Sequence, residues 1–278
     1  MVQSRISTVL RAYAAGDAFG VYYEFRKIES VSTELRSLEE WPYGGVSDDS
    51  LLTLLTLSTL KEESPENAAA AFLAKLAAAA PTLRGLGPTT RNALGLDVNE
   101  SEAHLIGKSN GAMMRTALCG LAFLPEQAPN RRAYVDALAR ATHSSNEAIL
   151  CSQIAAALFS SSRETIAEII ESELSAQNAK LDDRSEWQPP LGGISLDPVE
   201  TLYAFTLVAE RNKRVLNAYV DACSLGGDTD TVSALAGALV AFRNSDSGFE
   251  EIPWLKDIDW NEISSLEEIA LTLSGVHR

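Results

Sequence analysis

Apolar residues recur along this chain at spacings of three and four, the mark of helices that bury one face. Ile6, Val9, Leu10 and Tyr13 set that spacing near the N-terminus, and the helix they predict runs into Gly16-Asp17-Ala18-Phe19-Gly20. Ser64-Pro65-Glu66 opens a second clear helix: Ser caps, Pro takes the first turn, and Ala68 to Ala80 follow. Further helical runs are predicted at 109–124, 130–142, 146–160, 163–178, 198–210, 213–224, 229–243 and 264–275. Alternation at period two, which a half-buried strand needs, is nowhere convincing. Turn-forming residues gather at 40–47, 81–90, 125–130, 181–197 and 244–254. The stretch 181–197 carries Pro189-Pro190 and Gly192-Gly193. It is predicted to be a surface loop over the functional site, because structureless segments of that length inside a domain are usually functional. The pattern predicts an all-α fold: a single compact multi-helical domain over 1–278.

Composition narrows the function classes. The hydrophobic share of 46% is ample for a large core, and acidic residues outnumber basic ones 38 to 23, for a net charge of −15. Nucleic-acid binding needs clustered Lys and Arg, so nucleic acid and anionic membrane surfaces are not expected partners. The start, Met1-Val2-Gln3-Ser4-Arg5, lacks the apolar core of a signal peptide. No stretch approaches the roughly 20 apolar residues that span a bilayer. Cys119, Cys151 and Cys223 are odd in number and lack short pair spacing, so they predict buried free thiols rather than disulfides or a zinc site. A cytoplasmic monomer is the expectation.

Two short acidic clusters change the picture. Ser47-Asp48-Asp49-Ser50 and Gly226-Gly227-Asp228-Thr229-Asp230-Thr231 each head an apolar, helix-forming stretch. At a helix N-terminus two neighbouring carboxylates can reach two neighbouring ions, and the paired glycines let backbone approach a ligand closely. All-oxygen ligation favours Mg²⁺, Mn²⁺ or Ca²⁺, while His104, His143 and His277 are too scattered for zinc. Carboxylates packed together raise one another's pKa, and bound cations relieve that cost. Asp and Ser before an apolar run are also ordinary helix caps, which fits the first cluster taken alone. The second is too short for an EF-hand and lacks its Glu.

In their order, these residues resemble the ADP-ribosylglycohydrolases, a family that includes the dinitrogenase-reductase-activating glycohydrolase. Gly16-Asp17-Ala18-Phe19-Gly20 and Glu24 look like the family's opening motif and the Glu after it. Ser47-Asp48-Asp49-Ser50 is similar to its Thr-Asp-Asp-Thr, and Arg84-Gly85-Leu86-Gly87 to its Arg-Gly-x-Gly loop. Asn110-Gly111-Ala112-Met113-Met114-Arg115, Thr142-His143 and the second acidic cluster follow in family order. The resemblance implies an all-helical fold with two Mg²⁺ or Mn²⁺ ions in a cleft. It also implies hydrolysis at the anomeric carbon of the distal ribose of ADP-ribose. Carried over by position, the metal ligands are Ser47, Asp48, Asp49, Asp228, Asp230 and Thr231. Glu24 stands by the metals and the ribose as gate or acid/base group, and Glu24, Asp48 and Asp49 are the candidate bases. Gly85 and Gly87 cradle the diphosphate; Asn110, Gly111 and His143 line the cleft; Ile194 contacts the adenosine. Arg115 reads as a buried cation paired to an Asp or Glu.

The chain departs from the family pattern in places. Serines stand for threonines at both ends of the first cluster, keeping the hydroxyl, and Lys108-Ser109 precede Asn110 where relatives often have glycine. Two other function classes remain open on sequence alone. One is a carboxylate-metal hydrolase of phosphate esters. The other is a non-catalytic ADP-ribose-binding or crystallin-like member.

Overall fold

Strong helix formers and well-placed caps set most of the elements. The structure, a computed structural model, describes residues 2–27, 29–62 and 64–275; His277 lies outside them. Twelve α-helices are formed among the described residues. In chain order they are α1 (Val2–Gly20), α2 (Asp48–Leu57), α3 (Pro65–Ala79), α4 (Pro88–Ala93), α5 (Gly111–Thr116) and α6 (Ala128–Arg140). Then follow α7 (Asn146–Leu158), α8 (Ile166–Ala176), α9 (Pro198–Arg211), α10 (Val215–Leu225), α11 (Thr229–Arg243) and α12 (Leu266–Gly275). No strand is formed among the described residues; one isolated parallel bridge joins Ile194 and Gly227. The fold is all-α, as the periodicity predicts.

Close packing divides the described chain into two compact units. Among the described residues, one comprises those up to Ser50 with Asp182–Ser195 and Glu200–Ser274; the other comprises those from Leu51 to Leu181 with Leu196–Val199 and Gly275. In the first, α1 lies against α11. Gly20 makes that approach possible, since a Cβ there would stand 2.4 Å from the Asp230 Cα. The Thr229 hydroxyl donates to the Gly20 carbonyl at 2.9 Å, and the Tyr219 hydroxyl on α10 donates to the Ala12 carbonyl at 2.6 Å. Phe19, Tyr219 and Trp254 stack between them, with ring centroids 5.4 to 6.1 Å apart.

In the second unit, α7 is buried on every side from Ala148 to Leu158, and α5, α6 and α8 pack around it. Ser64 caps α3 through the Asn67 N–H, as its position predicts. The predicted helix 109–124 is instead α5 followed by a 3₁₀ segment, Ala117–Ala122. Gly120 explains the change: its Cα comes so near α7 that a Cβ would sit 1.9 Å from the Ala156 carbonyl oxygen. Arg115 is fully buried, yet its partners are not the carboxylate expected of it. The guanidinium donates to the Leu138 carbonyl (2.7 Å) and the Thr142 hydroxyl (2.8 Å), and stands 4.2 Å above the Phe72 ring. Neutral acceptors and an aromatic face hold this cation.

Candidate functional site

The two acidic clusters are helix N-termini within the first unit. Asp48 and Asp49 occupy the first turn of α2, and Asp228 and Asp230 the start of α11. The positive end of a helix dipole favours carboxylates at both places. The Ser47 hydroxyl accepts from the Asp49 N–H at 3.0 Å, so one of its lone pairs is committed to capping. The Thr231 hydroxyl donates to Asp49 at 2.8 Å and ties the second cluster directly to the first.

A glycine turn sets the approach to α11. Gly226 and Gly227 both have positive φ, at 71° and 77°. A Cβ at Gly227 would fall 1.9 Å from the Ile194 carbonyl oxygen. Ile194 is 1% exposed, and what it gives this turn is backbone: its N–H donates to Gly226 at 3.0 Å and its carbonyl accepts from Asp228 at 2.9 Å. On the other side, the Phe25 N–H donates to the Gly227 carbonyl at 2.8 Å, with Phe25 itself at φ 47°. A non-glycine residue in that region is unusual and is held there by its surroundings. This turn brings the preceding residue, Glu24, to the cluster. Glu24, Asp228 and Asp230 each offer a carboxylate oxygen, all within 4.8 Å of one another.

Asp17 is the residue whose role the sequence reading missed. It is fully buried and accepts from the Ser47 N–H (3.1 Å), the Ser50 N–H (3.1 Å) and the Ser50 hydroxyl (2.5 Å). It thus fixes the loop that presents Asp48 and Asp49. The signal was its place in the opening motif, but no spacing in the sequence links it to residues thirty positions on.

Electrostatics single this cluster out. Burial, then the Asp230 charge, pushes the Asp17 carboxyl up to about 7. Burial, then Asp230 and Asp17, pushes Glu24 up to about 8. Asp48 and Asp49 are raised well above the usual range, first by burial and then by Asp230. Burial raises Asp230 as well. So many carboxylates cannot ionise together unless positive charge joins them. The donor set is all oxygen, with hydroxyls from Ser47 and Thr231 beside the carboxylates, which suits a hard divalent cation.

The other predicted residues lie in the second unit. Gly85 has φ 78°, a conformation glycine alone adopts easily. Gly87, by contrast, has φ −66°, and a Cβ there would meet no atom within 4 Å. Neither backbone nor packing requires glycine at 87, which leaves open space as its distinctive contribution. The Asn110 N–H donates to Leu196 at 2.8 Å, opening the turn into Gly111 and α5. His143 is held at both nitrogens: Nδ1 is 2.9 Å from the Thr142 hydroxyl and Nε2 is 3.2 Å from Ser109 Oγ. Because the Thr89 hydroxyl spends its proton on the Leu105 carbonyl, the Ser109 proton goes to Thr89, Nε2–H donates to Ser109, and Nδ1 accepts the Thr142 proton. Ser109 in turn meets Thr89 at 3.2 Å, whose hydroxyl donates to the Leu105 carbonyl. Burial, then the Arg115 charge, lowers the His143 pKa to about 3, so the ring is neutral.

Residues 1–277 match the family profile described as ADP-ribosylglycohydrolase. No curated protein matches the chain. Among solved structures, one titled "ADP-ribosylglycohydrolase-related protein complex" aligns over 99% of both chains, with a TM-score of 0.73 and 24% identity. That likeness establishes the fold.

Proposed function

The chain belongs to the ADP-ribosylglycohydrolase family, glycosidase-type hydrolases of ADP-ribose-related substrates, and from that premise we propose the following reaction. The protein releases ADP-ribose from a modified side chain or a small adduct by hydrolysis at the anomeric carbon of the distal ribose. The observation that carries this reading is the buried acidic cluster around Asp230. Ser47, Asp48, Asp49, Asp228, Asp230 and Thr231 would hold two Mg²⁺ or Mn²⁺ ions. When bound, these ions supply the positive charge that lets the carboxylates ionise together and that orients a ribose diol.

The chain's own residues do the rest. Asp17 keeps the α2 N-terminus in place. The bond from the anomeric carbon to the leaving heteroatom breaks through an oxocarbenium-like state, and water adds to the carbon. A carboxylate among Glu24, Asp48 and Asp49 takes the water proton; the leaving group takes up a proton as it departs. Gly85 and Gly87 leave room for the diphosphate, Asn110 and Gly111 offer polar groups to the rest of ADP-ribose, and His143, whose two nitrogens are held by Thr142 and Ser109, lines the cleft with its ring edge.

A panel of ADP-ribosylated arginine, serine and acetyl adducts, assayed with Mg²⁺, Mn²⁺ or EDTA, tests the reading. Metal-dependent release of free ADP-ribose is the expected result. Release of inorganic phosphate instead, or equal rates in EDTA, overturns it.

A further inference from the structure

A cavity of about 480 Å³, of the size that holds small ligands, lies in the first unit. Its walls include Phe25, Arg26 and Lys27 from the segment after α1, and Gly226 and Gly227 from the turn before α11. Glu24 immediately precedes the first segment and Asp228 immediately follows the second, so the cavity adjoins the acidic cluster through two peptide links. None of its lining residues belongs to the ligand set proposed above.

Three observations say what it accepts. Phe25 is 59% exposed and Leu191, also in the wall, is fully exposed. Two large apolar side chains are thus left in water beside a cavity. Arg26 and Lys27 outnumber Glu29, the acid in the lining, within a chain of net charge −15. Arg26 is held in place over the Tyr22 ring at 5.5 Å. Gly192 forms part of the wall, has no positive φ, and a Cβ there would meet nothing within 4 Å. Neither strain nor packing explains glycine at that position, whereas space for an occupant does.

We propose that this cavity seats the peptide of the modified protein beside its ADP-ribose linkage, with an acidic side chain against Arg26 and Lys27 and an apolar one against Phe25 and Leu191. The inference rests on the hydrolytic reading of the acidic centre. Exposed Phe25 and Leu191 give a diphosphate nothing to bind, whereas a peptide of mixed character uses both the apolar and the basic part of the wall. A local positive patch on an acidic surface also selects among partners, since complementary charge governs specificity more than raw affinity.

Two measurements test it. The first is fluorescence anisotropy with unmodified peptides that carry Asp-Leu or Lys-Leu flanks around a central Ser or Arg. The wild type should bind the acidic peptide at least fivefold more tightly. The double variant R26E/K27E should abolish or invert that preference, and Gly192→Leu should weaken both peptides. The second measurement follows ADP-ribose release from a small non-peptide adduct, which both variants should leave within twofold of wild type. Parallel loss of small-adduct turnover would assign the cavity to ADP-ribose itself and overturn the proposal. So would an unchanged flank preference, or displacement of the peptide by AMP. A wild type that binds the acidic peptide but releases no ADP-ribose from any adduct would support the peptide seat and sink the hydrolase reading.

Discussion

After burial itself, the Asp230 charge is the largest influence raising Asp17, Glu24, Asp48 and Asp49, so it is the residue on which the cluster turns. Asp230→Asn removes that charge with little change of shape. Turnover should fall by more than about 100-fold, beyond what loss of an outer-shell partner costs, and the Mg²⁺-induced rise in Tm should disappear while the circular dichroism spectrum stays helical. Near-wild-type turnover at limiting Mg²⁺ would remove Asp230 from the metal set. Asp17 calls for a different expectation, since its oxygens are spent on Ser47 and Ser50. Asp17→Ala leaves buried donors without partners, at about 1–3 kcal/mol each. It should also cost about 10–100-fold in metal affinity, as outer-shell partners do; intact Mg²⁺ affinity would make its role purely structural. His143 offers a spectroscopic test. In the wild type its ring nitrogens should report a neutral Nε2–H tautomer across pH 5–8. Thr142→Val removes the donor to Nδ1 and should mix the tautomers, while Thr142→Ser restores the wild-type signal. An unchanged tautomer in the valine variant would mean that the Thr89–Ser109 side alone sets it and that Thr142 does not.

At the scale of elements, two glycines predict opposite outcomes. A Cβ at Gly20 would press on the backbone of α11 at 2.4 to 2.6 Å, and backbone cannot step aside. Gly20→Ala should therefore destabilise by about 1–3 kcal/mol or more, the usual cost of overpacking, and should misplace Asp230 as well. Gly87→Ala meets no atom and sits at an ordinary φ, so stability should hold or rise by up to about 1 kcal/mol while KM for ADP-ribosylated substrate increases. Calorimetry and steady-state kinetics on the two variants separate packing from ligand space; an unchanged KM for Gly87→Ala would detach that loop from the substrate. These glycines also show how much was legible in the sequence. Periodicity located the long helices to within a few residues, because local propensity and capping decide their ends, as Ser64 does for α3. It overran at 109–124, where the contact of Gly120 with α7 is a tertiary fact. It passed over α4, too short for its pattern to register. The acidic clusters stood out in sequence because several carboxylates packed together without a counter-charge are costly. Asp17 and the neutral partners of Arg115 did not, since long-range hydrogen bonds leave no periodicity.

For the whole molecule, the raised carboxylates make stability depend on pH in a direction opposite to the usual acid denaturation. An ordinary native carboxylate has a lowered pKa and loses stability as pH falls. Here Asp17 and Glu24 are pushed up to about 7 and about 8, and Asp48, Asp49 and Asp230 are raised too. In the metal-free protein the native state holds these protons more tightly than the unfolded chain, whose carboxyls titrate near about 4. Stability from this cluster is thus fully present below about pH 4 and declines as pH rises through 7 to 8, where burial and mutual repulsion oppose ionisation. A divalent cation reverses the balance, because it favours the ionised form and displaces the protons. In chelator, Tm should fall between pH 5.5 and 8.5, and added Mg²⁺ or Mn²⁺ should raise Tm more at pH 8 than at pH 6. Titration calorimetry in buffers of different ionisation enthalpy should detect proton release on binding at pH 6.5. Asp230→Asn should flatten the pH dependence in chelator as well as abolish the metal response, because one charge is a cause of both. A metal-free Tm that rises with pH across this window, or metal binding without proton release, would mean that the cluster ionises freely and that its burial has another compensation.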